Sequence, residues 1–252
     1  MGEPAVEHGW AADADAAAHL IVDGALDDDL IVEGRDGHHL ERVRRLRTEE
    51  RVTVADGFGT WRPYVVADTA RGRLTLTSSG AARREPRLEP ALSVAFALTK
   101  GEKPEVVVAR LTELGVDRIV PVEAARSVVS WRGDRADAAV ARLARVAREA
   151  SMQCRRARVP HIEPMRLSVL AGRPGLVIAD RVGVDAGRLP PPGPDGWLLV
   201  VGPEGGLDPD ELDRLVGPRL AVGPHVLRAE TAAIAAAAAL TGQRAPAGHH
   251  GG

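Results

Sequence analysis

Arg228, Glu230 and Thr231 stand at the mouth of an alanine-rich helix in the segment RLAVGPHVLRAETAAIAAAAAL. A carboxylate in a first helical turn complements the helix dipole, which gives Glu230 a stabilising role. Arg228 has no such role, because a cation beside a helix N-terminus opposes the dipole; it calls for a partner or a ligand. A second segment, LLVVGPEGGLDPDEL, sets Val201, Gly202, Pro203, Glu204 and Gly205 at the end of an apolar run. Gly202 and Gly223 each follow a short β-branched stretch, so the backbone turns at the carboxyl edge of a buried sheet, where open α/β folds bind ligands. GPEGG lacks both the G-x-G-x-x-G spacing of a dinucleotide fingerprint and the lysine of a phosphate loop.

Lys100 and Lys103, in TKGEK, are the only lysines of an arginine-dominated chain. The formal net charge of −2 describes a surface of mixed sign, but the arginines cluster. Arg42, Arg44, Arg45 and Arg47 form one group; Arg142, Arg145, Arg148, Arg155, Arg156 and Arg158 form another along and past a helix. Arginine suits bidentate phosphate contact, so these groups are either solvated faces or nucleic-acid patches. Cys154 is the lone cysteine, which excludes an internal disulfide framework, and the histidines are badly spaced for ligation. No metal is expected. No apolar run reaches the roughly 18 to 20 residues that span a bilayer, and the acidic N-terminus lacks a cationic signal head, so a cytoplasmic protein is expected. Glu113 ends a helix, where its carboxylate is mildly unfavourable, and Arg118 and Arg126 are its expected partners.

These residues need elements to hold them. Residues 19–80 read as a small β-rich unit: strands at His19–Val22, around Val52 and Val54, at Tyr64–Val66 and at Arg73–Thr77, with a turn at Asp56-Gly57-Phe58-Gly59. Leu40, Val43 and Leu46 have helical spacing. The stretch 81–90, with two prolines and no apolar period, is the expected linker. Beyond it strands and helices alternate, which predicts a parallel sheet covered by helices. The helix from Glu105 buries Val107, Leu111 and Leu114 and stops at Gly115; a longer one runs from about Asp134 to Arg156. Asp208, Pro209 and Glu211 form a capping box that starts the helix after GPEGG. Seven alanines among residues 232–239 let the last helix approach another backbone closely, in a core or a dimer seam.

LTKGEKPEVVVARLTELGVDRIVPVEAARSVV, EASMQCRRARVP, LLVVGPEGG and LAVGPHVLRAETAA occur in an order that resembles the uracil-N3 methyltransferases of small-subunit (16S) ribosomal RNA, in the SPOUT superfamily. The resemblance runs from about His38 to Leu240. It implies a PUA-like β-barrel RNA-binding domain over 1–80, the linker 81–90, and over 91–245 an α/β methyltransferase domain with a C-terminal trefoil knot, acting as a homodimer. It implies an S-adenosylmethionine site at Val201, Gly202, Pro203, Glu204, Gly205, Val222, Gly223, Val226, Leu227 and Thr231. Arg228 and Glu230 are the implied catalytic pair, and Arg44, Arg45, Lys100, Lys103, Arg155 and Arg156 the implied RNA contacts. Ala229 stands where the family pattern has threonine, and Met152 where it has glutamate. A methyltransferase acting on transfer RNA, or an RNA-binding assembly factor without chemistry, are the other readings.

Overall fold

The computed structural model describes residues 15–33, 46–70, 73–98, 103–127, 131 and 133–247. They fall into two compact units, Met1–Pro86 with Ser151–Val159, and Arg87–Ala150 with Pro160–Gly252.

The first unit contains β1 (Ala18–Ile21), β2 (Asp29–Glu33), β3 (Arg51–Ala55), β4 (Thr60–Ala70), β5 (Arg73–Ser78) and β6 (Arg83–Arg84). They form one sheet in the order β1-β3-β4-β5-β2, with β6 on β4; β1 and β3 run parallel and the other pairs antiparallel. The β3–β4 turn is the one expected from Asp56 to Gly59. Asp56 Oδ1 accepts from the amides of Phe58 at 2.7 Å and Thr60 at 3.0 Å, while Gly57 and Gly59 take φ of 77° and 107°. Leu20, Val52, Val54, Tyr64, Val66, Leu74 and Leu76 build one core.

The other face of β1 and β3 is buried too, because Ser151–Val159 belongs to this unit. Ile21, Ala55 and Trp61 pack there with Met152 and Ala157. The helix before it ends at Cys154, two residues earlier than the spacing predicts, as Arg155 turns to φ 61°. Gly59 N donates to Ala157 O at 3.0 Å, Val159 N to Gly57 O at 2.9 Å, and Ala157 N to Glu85 Oε2 at 2.6 Å. His19, 2% exposed, sits 2.8 Å by Nδ1 from Thr53 Oγ1 and 3.3 Å by Nε2 from Arg156 O. Burial lowers its pKa to about 4, helped by the charge of Arg155 and opposed by the Arg156 carbonyl. Burial raises the Glu85 carboxyl, with Arg156 and Arg158 and the amide contacts pulling the other way.

The second unit contains β7 (Leu88–Glu89), β8 (Leu92–Ala97), α1 (Lys103–Glu113), β9 (Arg118–Glu123), α2 (Asp134–Cys154, whose last turn belongs to the first unit), β10 (His161–Ile162), β11 (Met165–Arg166), β12 (Leu176–Val184), β13 (Trp197–Val201), α3 (Pro209–Arg214), β14 (Arg219–Leu220), α4 (Ala229–Thr241) and β15 (Ala245–Pro246). Among the described residues the main sheet is wholly parallel, in the order β10-β9-β8-β13-β12-β14 with β11 also on β9. Every residue of β13, WLLVV, is buried, as a strand covered on both faces requires. α1 buries Val107, Val108 and Leu111 and stops at Gly115, φ 80°; Leu114 is only half-buried. α4 packs on α1, β8 and β13 through Ala233, Ala236, Ala237 and Leu240. Arg244, its side chain fully buried, ion-pairs with Asp117 and donates to Pro90 O, Gly115 O and Leu88 O at 2.7, 2.8 and 3.1 Å. Among the described residues no helix is long and apolar enough to cross a membrane.

Candidate active site

Strands β8 and β13 are parallel neighbours, and each leads into a helix. After β8 the chain enters α1, which packs with α4. After β13 it enters α3, and Leu207, Leu212 and Leu215 there pack on the face carrying Ala95, Ala97, Leu198 and Val200. The crevice at the carboxyl ends of such strands is the general ligand position of open α/β sheets.

Lys103, first residue of α1, spans that crevice. Its Nζ lies 3.0 Å from Glu204 Oε1, in the turn after β13, and 3.5 Å from Glu230 Oε1, in the first turn of α4. The two glycine-marked segments are thus within reach of one ammonium group. The hydrogen bond from Lys103 holds the Glu204 carboxyl below its usual range, and the same bond raises the lysine. The second oxygen of Glu230, Oε2, is buried without a hydrogen-bond partner. A buried carboxylate oxygen without a partner is rare in a folded protein and marks Glu230 among the residues of this segment.

The remaining expected residues divide between frame and surface. Val201 and Pro203 are buried; Gly202, Val222 and Leu227 are half-buried; Gly205, Gly223, Arg228 and Thr231 are exposed. Arg228 occupies the N-cap of α4 without a side-chain cap bond, and among the described residues it has no ion pair. Val226 is 77% exposed, an apolar side chain left to solvent in the loop before α4. A Cβ at Gly202 would come within 3.0 to 3.3 Å of Leu207, whereas at Gly223, φ 113°, it would meet nothing within 4 Å. Close backbone at one turn and open space at the other fit a nucleoside edge read by main-chain groups.

Other expected residues lie elsewhere. Arg44, Arg45 and Lys100 fall outside the described residues, as do Leu40 and Val43. Arg155 Nη2 donates to Ala16 O at 2.6 Å and Arg156 is 8% exposed, so both guanidinium groups serve the interior of the first unit. Glu113 pairs neither with Arg118 nor with Arg126 but with Arg110, one turn back on its own helix, at 2.7 Å. Arg118 pairs with Glu163. Arg126 instead donates to Gly205 O at 2.9 Å and lies 3.6 Å from Asp208 Oδ2, so it braces the GPEGG turn, a role the sequence reading missed. The capping box stands as expected: Glu211 Oε2 accepts from Asp208 N at 2.9 Å, and Asp208 Oδ1 from Asp210 N at 3.1 Å. Glu211 Oε1 also accepts from Ala125 N at 2.6 Å, tying the loop after β9 to α3. A cleft of about 1040 Å³ opens beside α3, edged by Trp131, Arg166, Glu211 and Arg214; neither glycine-marked turn lines it.

A family model described as an RNA methyltransferase domain matches residues 86–241, and one described as an RNA methyltransferase PUA domain matches residues 32–77. The ribosomal RNA small subunit methyltransferase E of Mycobacterium bovis is 36% identical over 233 residues, 83% of this chain and 85% of that protein. The Bacillus subtilis protein of the same name is 26% identical, over 84% of this chain and 89% of its own. The crystal structure of the Neisseria gonorrhoeae ribosomal RNA small subunit methyltransferase E, bound to S-adenosyl methionine, superposes with a TM-score of 0.78 at 23% identity, covering 90% of this chain and 97% of that one. That likeness gives the same architecture, a parallel-sheet α/β methyltransferase fold with a PUA-like domain. By sequence and by fold, the chain belongs to the RNA methyltransferase family that includes the ribosomal RNA small subunit methyltransferase E proteins.

Proposed function

We propose that this chain methylates N3 of a uridine in small-subunit (16S) ribosomal RNA, with S-adenosylmethionine as donor. The observation that carries the reading is Lys103 joining Glu204 and Glu230, which brings both glycine-marked segments to one crevice of an RNA methyltransferase domain. Main-chain groups of Val201–Gly205 and Val222–Leu227, with Thr231, would hold the donor, which when bound supplies an electrophilic methyl group on sulfonium. The chain must orient the acceptor and make it nucleophilic. Uracil N3 carries an imide proton, and the Glu230 carboxylate, whose Oε2 has no hydrogen-bond partner, is the acceptor in this reading. Arg228, exposed at the N-cap of α4, stabilises the resulting anion together with the helix dipole. Lys103 lies 3.5 Å from the other oxygen, Oε1, which leaves Oε2 without a protein partner.

The same reading assigns residues 1–80 to RNA binding, 81–90 to the connection and 91–245 to catalysis in a knotted, homodimeric, cytoplasmic enzyme. Arg44, Arg45 and Lys100 contact RNA in it. The test is methylation of small ribosomal subunits, of their naked RNA and of transfer RNA, followed by mass mapping. N3-methyluridine at one small-subunit position is the expected product. Modification of transfer RNA alone, or calorimetry without S-adenosylmethionine binding, overturns the proposal. Glu230→Gln should lower kcat while leaving the donor's Kd unchanged.

A further inference from the structure

The chain has two phenylalanines; Phe96 is buried at 3% exposed, whereas Phe58 is 78% exposed. Phe58 sits at the tip of the β3–β4 turn, and that turn is pinned. Asp56 holds its amide at 2.7 Å, Arg158 Nη1 donates to its carbonyl at 2.6 Å, and it forms a β-bridge with Arg158. Gly57 and Gly59 on either side adopt backbone angles that disfavour any other residue. A large apolar ring on a rigid, solvent-facing turn loses burial without gaining flexibility, an arrangement that pays off when something flat covers it.

The surroundings are basic. In the β4–β6 pairing Arg84 lies opposite Thr60 and Arg83 opposite Trp61, with the Arg83 guanidinium 5.3 Å from the Trp61 ring centre. Arg83 and Arg84 are exposed and have no ion pair among the described residues. The nearby carboxylates are engaged elsewhere: Asp56 on two amides of the turn, Glu85 buried at 9% exposed on the Ala157 amide. Successive strand residues face opposite ways, so Arg84, opposite Thr60, is the exposed guanidinium two residues along β4 from Phe58, while Arg83 rests on Trp61. An exposed aromatic ring followed by an exposed arginine is the composition of a single-strand binding surface, in which a base stacks and its phosphate meets arginine.

We propose that Phe58 is a stacking platform for an unpaired RNA base, with Arg84 contacting a flanking phosphate. This deepens the RNA methyltransferase reading and rests on it. The probe is a labelled single-stranded oligouridylate of about ten nucleotides, titrated against the full chain by fluorescence anisotropy; base stacking predicts a loss of about tenfold or more for Phe58→Ala. Phe58→Trp should restore binding and Phe58→Leu should not, because leucine keeps apolar area but has no π-face. Arg84→Ala should flatten the plot of log K against log salt by about 0.7, the share of one phosphate contact on a single strand. Unchanged affinity in Phe58→Ala, or full rescue by leucine, overturns the platform. So does loss of self-association in Phe58→Ala at unchanged RNA affinity, which would make this turn a protein contact. A wild-type chain that binds S-adenosylmethionine and methylates ribosomal RNA, beside an unaffected Phe58→Ala, confines the failure to this turn; a wild-type chain that does neither removes the parent reading.

Discussion

Acidification should loosen the first unit through one residue. His19 has a folded pKa of about 4 against 6.5 in an unfolded chain, so as pH falls the unfolded state takes up a proton first. Stability tied to the neutral ring is present above pH 6.5, falls between 6.5 and about 4, and is fully lost below. Integrating the two titrations gives a loss of about 2 kcal/mol at pH 5 and about 3 kcal/mol at pH 4, relative to pH 7. Glu85 acts with the opposite sign: its raised pKa favours the fold at low pH and is a cost once pH passes through the folded value. Comparing wild type with His19→Gln cancels Glu85, which is present in both, and removes the titration of the ring. The assay is urea denaturation from pH 7 to pH 4, with hydrogen exchange at the Ala157 and Val159 amides as the local readout. The stability difference between the two proteins should change by about 3 kcal/mol across that range in favour of the variant. Parallel pH profiles would refute the reasoning, as would an imidazole that titrates near pH 6.5 by NMR.

Lys103→Met leaves Glu204 and Glu230 facing each other without the cation between them; kcat/KM for RNA methylation should fall about tenfold or more, in line with the loss of charge-assisted hydrogen bonds, and an unaltered value counts against the crevice. Gly223→Ala meets no neighbouring atom, so its effect isolates the backbone: forcing alanine to φ 113° should cost about 1–3 kcal/mol in denaturation, and a neutral variant would mean the turn relaxes freely. Arg244→Met strands Asp117 and three carbonyls at the start of the sheet, so about 3–5 kcal/mol of stability should be lost, read from the denaturation midpoint.

Local rules made parts of this fold legible from sequence. The all-apolar run WLLVV is a strand buried on both faces because nothing polar interrupts it, and the Asp208 capping box forms because its partners lie within three residues. The pairing of Glu113 with Arg110 obeys the same kind of rule, since residues three apart are neighbours on a helix; looking further along the chain for its cation overlooked the nearer one. Ser151–Val159 is different. Its arginines read as a basic patch, yet Glu85 and the turn at Gly57 and Gly59 take up its backbone, and no spacing rule links positions so far apart. The basic character of EASMQCRRARVP is therefore consumed in part by the fold, while the less conspicuous pair Arg83 and Arg84 is left to solvent.

The crevice shows why composition could point to a ligand without locating the residues that hold it. Two glycine-marked turns are a local signature, but the meeting of their segments depends on β13 lying beside β8 and on α4 packing against α1, neither of which a local rule supplies. Strand order also decides what Lys103 meets. Because α1 follows β8, the neighbour of β13, and packs with α4, one ammonium group reaches Glu204 and Glu230 together. Had β13 been placed at the sheet edge, Glu204 would sit several strand spacings of about 4.8 Å away, beyond the reach of a lysine side chain. The carboxylate of Glu230 would then face the crevice with no cation to hold it, and the same residues in the same sequence order would have no shared chemistry.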